Sequence, residues 1–454
     1  MKKTVYVVHC IDTEGPLYES IDATFQRLKQ IFNLDLKPSR ELLKKLQQGK
    51  VDLNGLEKSV QKVVSPQIIN YNDNWQKIDS MLTEVLSKEF RNRYSDSLNN
   101  GWIYNWFCVD HVDYSANPRK REIGYHKIFD HYQKILKKMH SSQDDIQFHY
   151  HPHAFISDAT LTATHWWVNS NSLYDILNRR IIDRNWFPSV NRPGFHVTRP
   201  DSHWFLEQFI PFDYSNQSCE QSKEDKKQSS LGGRWGDWRR APKNWSPYHP
   251  AHDDYQKSGE CRRWIARCMN IGTRMNLLNQ KYIDQAFRET DEGKPVVLSF
   301  TNHDFRDIRT DIDKVYKMIK KTSDEYPDID FSHSNAVQGI RNALNLPKMK
   351  KCVFDLKLER IKTGFDILTV KTESPTFGPQ PFFSFKTKDG SYYHDNLDFQ
   401  VPNHEWSYIF DENTFQINKI EKIGVAANNS YGITSVSTID LSTGKIKNVY
   451  YNDK

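Results

Sequence analysis

The sequence predicts an α/β protein, either a β/α barrel or an open parallel sheet, followed by an all-β sandwich of about 100 residues. Three observations lead there. Apolar, β-branched runs alternate with helical periodicity over roughly the first 300 residues. Chemically loaded clusters stand directly after three of those runs. From about residue 350 the pattern changes to short alternating segments between turn signals.

Residues 4–11 (TVYVVHCI) form a β-branched run that suits a strand buried on both faces, and it ends abruptly in Asp12-Thr13-Glu14-Gly15-Pro16. Residues 22–98 then read as a helical insertion, with apolar residues three to four apart over 23–32, 39–48, 55–64 and 74–90. A second strand is expected at 102–109 (WIYNWFCV), a helix at 123–139, and a third strand at 145–150 (DIQFHY). A helix at 173–183, a strand end at 191–195, a short helix at 202–209 and a strand at 210–214 continue the alternation. Residues 216–262 read as a loop insertion, whose polar stretch 216–233 suggests a mobile lid. A helix at 283–289, a strand at 295–300 (PVVLSF) and a helix at 311–323 complete the α/β unit, placed at 1–348. Within 349–454 the runs VFDLKLERI, DILTVKTE, FFSFKTK, KIGVAANN and TSVSTIDL supply the sandwich. Its expected role is to lie on the barrel or to meet glycan through Trp406, Tyr392 and Tyr393.

Composition excludes several functions. A mean hydropathy of −0.76, with no apolar run long enough to span a bilayer, argues against a membrane helix. The 63 basic and 57 acidic residues leave a charge of +6, too thinly spread over 454 residues to predict a nucleic-acid partner. The six cysteines contain no CxxC pair and read as free, mostly buried thiols. The basic start is followed by an apolar stretch broken at His9 and ended at Asp12, without a small-residue cleavage site. A signal peptide is therefore not expected, and a cytoplasmic location is.

Three clusters fall at predicted C-terminal strand ends, where parallel α/β folds keep their functional groups: Asp12-Thr13-Glu14, His149-Tyr150-His151-Pro152-His153, and Asn302-His303-Asp304. Carboxylate plus imidazole is a ligand set for zinc, iron, cobalt or nickel, and catalytic sites use three protein ligands with one position open. An extended segment puts His149 and His151 on one face, whereas a helical turn would pair His149 with His153. Pro152 tolerates either arrangement. Trp235, Asp237 and Trp238 lie in a Gly-, Arg- and Trp-rich stretch that reads as a glycan-stacking rim, or as a loop anchored to the barrel by its indoles.

In order along the chain, CIDTEGP, DIQFHYHPH, NRPGFH with IPFDYS, and LSFTNHD resemble the polysaccharide deacetylase (NodB-homology) family, in particular its branch with an Asp-Thr-Glu start and a His-x-His-Pro motif. The resemblance covers about residues 1–345 and leaves the sandwich untouched. It implies a distorted parallel β/α barrel of about seven strands and a divalent metal, zinc first, used to remove N- or O-acetyl groups from a sugar or polysaccharide precursor. Of Asp12 and Glu14, one would be the carboxylate ligand and the other the base. His149 would be the first imidazole ligand, and His151 or His153 the second. Arg192 matches the arginine that orients the base, and His303 the general acid, with Asp304 expected to hold its ring and raise its pKa. The family start has adjacent aspartates, whereas Thr13 here separates Asp12 from Glu14. That departure motivates the alternative of a deacetylase-like barrel that binds glycan without turnover.

Overall fold

The computed structural model describes residues 3–158, 166–167, 171–220, 236–273, 277–361 and 364–453. Seven parallel strands close on themselves: β1 (Lys3–Thr13), β2 (Tyr104–Cys108), β3 (Asp145–Tyr150), β4 (Val190–Pro193), β5 (Phe212–Asn216), β8 (Trp264–Asn270) and β9 (Val297–His303). Strand β9 pairs back to β1 from Tyr6 to Asp12. This is the expected parallel barrel. An eighth strand, β10 (Ile329–His333), lies along the first half of β1, and β2 takes the second half of the same edge. That shared edge makes the barrel irregular.

Alternation along β1 divides the molecule. Val8 and Cys10 point inward with Phe107, Val190, Phe212, Tyr214, Ala266 and Cys268, while Val5, Val7 and Ile11 face the outer helices. The short helix α12 (Ala336–Ala343) plugs the N-terminal mouth, where the Tyr214 hydroxyl donates to the Ala336 carbonyl at 2.6 Å. Asp12 continues the inward row of β1 one step above Cys10, at the opposite mouth. The barrel interior is thus apolar below and chemical above.

Six helices fill the β1–β2 connection: α1 (Ile21–Phe32), α2 (Arg40–Gln47), α3 (Glu57–Val63), α4 (Pro66–Ile69), α5 (Trp75–Val85) and α6 (Lys88–Arg93). The first three share a small core of their own around Phe25, Leu28, Leu46 and Val60. Ser20, Ser39 and Asn74 each accept an N-terminal amide of the helix they precede. The single helix expected over 74–90 is two, because Ser87 caps a new start by accepting from the Phe90 amide. Asn72 returns this insertion to the barrel top, donating its amide to the Phe305 carbonyl at 2.8 Å.

The outer layer continues with α7 (Lys127–Lys138), α8 (Ser172–Arg184), α9 (Pro200–Phe209), α10 (Gln280–Asp291) and α11 (Arg309–Glu325). The described part of 216–262 holds a hairpin of β6 (Pro250–Ala251) and β7 (Asp254–Ser258); residues 221–235, including most of the expected lid and Trp235, lie outside the described residues. Strand β8 was not expected, since Arg267 interrupts its apolar run. Arg267 is nevertheless buried, with its guanidinium over the Trp245 and Tyr282 rings at 4.7 and 4.6 Å.

The C-terminal part is a sandwich of two antiparallel sheets. One holds β11 (Asp355–Arg360), β12 (Asp366–Lys371), β16 (Glu405–Phe410) and β15 (Asp398–Val401). The other holds β14 (Tyr392–Asp395), β13 (Phe382–Thr387), β17 (Ile420–Asn428), β18 (Thr434–Asp440) and β19 (Lys445–Tyr451). Its five-stranded face lies on α8, and Phe382, Ala426 and Val436 join the main core. Of the two roles expected for the sandwich, packing on the barrel is the one seen: Tyr392 donates to Asp183 on α8, Trp406 is fully buried and so offers no face to glycan, and Tyr393 stays exposed. All six cysteines are free, four of them buried. Among the described residues no helix is long and apolar enough to cross a membrane.

Candidate functional site

Every chemical cluster named from the sequence arrives at the C-terminal mouth of the barrel. Register does this directly: Asp12 on β1 stands beside His303 on β9, and His149 on β3 beside Arg192 on β4. Arg192 then reaches across the barrel to grip Asp12 with two hydrogen bonds, Nε to Oδ1 at 2.5 Å and Nη2 to Oδ2 at 2.9 Å. Its Nη1 donates to the Tyr214 carbonyl at 3.2 Å. Burial alone would raise the Asp12 carboxyl. The Arg192 guanidinium, followed by His149 and His303, outweighs that and holds it below the usual carboxylate range.

Among the described residues, Glu14, His149 and His151 form a cluster able to hold a metal ion. His149 Nδ1 lies 2.6 Å from the Arg192 carbonyl, and an N–H donated there leaves Nε2 as the lone-pair atom. That Nε2 is 3.0 Å from His151 Nε2 and 3.9 Å from Glu14 Oε1, and His151 Nε2 is 3.6 Å from the same oxygen. Three ligands 2.0–2.2 Å from a tetrahedral centre would stand roughly 3.4 Å apart, so these separations fit one cation. Two imidazole nitrogens facing each other, one buried and one partly exposed, are also brought together by a cation between them.

The cluster selects between alternatives that the sequence leaves open. Glu14 rather than Asp12 lies with the histidines, and Asp12 is gripped on both oxygens by Arg192 instead. His153 stays out of the cluster, with its ring edge-on to Tyr114 at 5.2 Å and its Nε2 4.0 Å from Asp113. No helical turn follows Tyr150; the chain is irregular over 151–154, which favours the His149–His151 pair.

Gly194 makes room for that pair. A Cβ at this position would sit 2.4 Å from His151 Nδ1, so only glycine lets the ring lie against the end of β4. Gly194→Ala is therefore expected to push His151 aside and to weaken metal binding by about 10–100-fold, the scale of losing a ligand's support. A metal-competition titration reads this directly, and unchanged affinity would show that His151 is not a ligand. Directly after Gly194, Phe195 and His196 both take positive φ (52° and 54°), a strained pair for non-glycine residues. The turn lays the His196 ring along the Arg192 guanidinium, with its Nδ1 3.2 Å and its Nε2 3.1 Å from the two terminal nitrogens. Burial and that cation keep His196 well below the usual histidine range.

His303 Nε2 stands 3.6 Å from Asp12 Oδ2 and 3.7 Å from Glu14 Oε1. The expectation that Asp304 holds this ring is overturned. Side chains 303 and 304 point to opposite sides, and Asp304 accepts the amides of Glu14 and Gly15 at 2.9 Å each and the Tyr132 hydroxyl at 2.9 Å. Burial pushes the Asp304 carboxyl up to about 7. Without that partner, burial takes the His303 imidazole down to about 3, so it rests neutral rather than as imidazolium.

The expected glycan rim divides. Trp238 is buried, and its indole N–H donates to the His196 carbonyl at 2.8 Å, so it anchors the loop instead of offering a face to solvent. Asp237 is ion-paired with Arg239, yet it also lines a cleft of about 330 Å³ with Arg199, Trp204, Arg240 and His252. Trp204, half exposed, was not singled out from the sequence. Nor were Arg121 and His111, which hold Glu14 from the β2–α7 loop: Arg121 Nη2 meets Oε2 at 2.7 Å, and His111 Nε2 meets the Glu14 carbonyl at 3.0 Å.

The site is thus a carboxylate–imidazole cluster at the C-terminal mouth of a closed parallel barrel. No protein-family model and no curated protein matches the chain. A solved structure, a putative alpha-galactosidase/melibiase from Bacteroides fragilis NCTC 9343, aligns over 73% of this chain and 76% of that one at 10% identity. Its TM-score is 0.22, too low to carry an argument about fold or function.

Proposed function

We propose that this protein is a metal-dependent hydrolase that removes an N- or O-acetyl group from a sugar or polysaccharide precursor, as the resemblance to polysaccharide deacetylases implies. The observation that carries this reading is the convergence of Glu14, His149 and His151 beside an Arg-gripped Asp12 and His303. One carboxylate oxygen and two imidazole nitrogens form a donor set suited to zinc, and iron, cobalt and nickel accept the same set. When bound there, the metal lowers the pKa of water and polarises the acyl carbonyl.

The protein groups divide the proton work. Asp12, kept ionised by Arg192, is the carboxylate not needed for ligation, and its Oδ2 takes the proton of the attacking water. His303 rests neutral, so the proton it gives to the leaving nitrogen or oxygen is one received during the cycle. Asp12 Oδ2, 3.6 Å from His303 Nε2, is placed to hand it over. Bond breaking then returns both groups to their starting states. The exposed indole of Trp204, in the cleft beside Asp237, offers the apolar face on which a sugar ring stacks.

The test is acetate release from acetylated sugars. His303→Gln should lower kcat by roughly 10²–10⁴-fold while leaving metal content and Tm nearly unchanged. A variant that keeps its activity, or that chiefly loses Tm, would make His303 structural. Glycan cleavage without acetate release would replace deacetylation with glycoside hydrolysis.

A further inference from the structure

The polar atoms of Glu14 are occupied in an unequal way. Its amide donates to Asp304 Oδ1 at 2.9 Å, its carbonyl meets His111 Nε2 at 3.0 Å, and its Oε2 meets Arg121 Nη2 at 2.7 Å. The remaining atom, Oε1, is the one facing the Nε2 atoms of His149, His151 and His303 at 3.9, 3.6 and 3.7 Å. Both partners of the ion pair are largely buried, with Arg121 and Glu14 side chains 12% and 6% exposed.

Arg121 is itself fixed in place. Asn117 clamps its backbone from both sides, accepting the Arg121 amide at 2.8 Å and donating to its carbonyl at 2.7 Å. Below, the guanidinium lies over the Phe305 ring at 5.1 Å. A guanidinium so held is a poor choice for simple charge balance at a metal site, because a cation in contact with a ligand carboxylate weakens its pull on another cation. Orientation is what it supplies.

We propose that Arg121 is a positioning residue that restricts Glu14 to ligation through Oε1 alone, so that the metal keeps a coordination position open for the reacting groups. This rests on the metal-dependent reading of the site. A carboxylate free to turn can offer both oxygens and occupy the position that catalysis requires. Arg121 prevents the turn by holding the second oxygen.

Cobalt(II) is the probe, because its visible absorption is intense when four-coordinate and weak at higher coordination. The wild-type chain loaded with cobalt should show the intense bands. In Arg121→Met they should fall several-fold while cobalt stoichiometry stays the same, as Glu14 turns to bind with both oxygens. Arg121→Lys, which keeps the charge but not the planar fork, should fall between the two. If the methionine variant does not fold, the lysine variant makes the same comparison. Identical cobalt spectra in the variants and the wild type would overturn the proposal. A wild-type chain that takes up no cobalt would instead overturn the metal-dependent reading beneath it.

Discussion

Glu14→Gln and His149→Ala chains should come through purification almost free of metal, whereas the wild type carries about one divalent ion per chain. His153→Ala should keep its metal. The expected loss in the first two exceeds the roughly 10–100-fold that removal of an outer partner costs, because each deletes a donor atom. His149 is the more informative of the pair. Its Nδ1 is already committed to the Arg192 carbonyl, so Nε2 has no role left except to face His151 and Glu14. Asp12→Asn separates the two carboxylates: metal content should persist, since its oxygens serve Arg192, while turnover should fail for want of a base. Elemental analysis and acetate release, measured on the same four variants, decide the matter. Metal retained by His149→Ala, or lost from His153→Ala, would mean that the ligands are wrongly assigned.

Much of this site was legible in the sequence because strand geometry does the placing. A β-branched run ending in Asp12-Thr13-Glu14, and a second strand segment (DIQFHY) carrying His149 near its end, must deliver those residues to the same mouth once the strands are parallel. What was not legible has physical causes. Strand β8 was hidden because Arg267 at its centre reads as a surface residue, yet its charge is buried against two aromatic rings and backbone carbonyls. Asp304 was paired with His303 by adjacency, although adjacent side chains at a strand end diverge, and Asp304 serves the Glu14–Gly15 amides instead. Arg121 sits in the run Pro118-Arg119-Lys120-Arg121-Glu122, whose charge density resembles a solvated face. Only the loop that returns it to Glu14 distinguishes it. The choice between His151 and His153 turned on the local path after Tyr150, and Gly194, the residue that accommodates His151, lies more than forty positions away in sequence.

Arg192→Met should be the most destabilising single change at this mouth, costing about 3–5 kcal/mol in metal-free protein near pH 7, because it strands the buried Asp12 carboxylate. The pH dependence gives the cause. In the wild type the Asp12 carboxyl is held below its unfolded value, so the folded chain binds fewer protons than the unfolded one as the medium is acidified. The resulting stability is fully present above about pH 4, near the unfolded Asp value, and is lost only as pH falls through the lower folded value. Removing the guanidinium reverses the sign. Burial, the largest influence on this group, then meets only the weaker pull of His149 and His303 and raises the Asp12 carboxyl, so Arg192→Met should gain stability as pH falls and Asp12 takes up a proton. The difference between variant and wild type is therefore largest at neutral pH and narrows toward pH 4. Asp12→Asn combined with Arg192→Met should recover part of the loss, since it removes the stranded charge as well as its partner. Urea unfolding of the three chains with chelator present, between pH 4 and pH 8, measures all of this. A difference below about 1 kcal/mol, the scale of an exposed ion pair, or one that does not change with pH, would show that Arg192 does not keep Asp12 ionised, and Asp12 would then lose its assignment as the base.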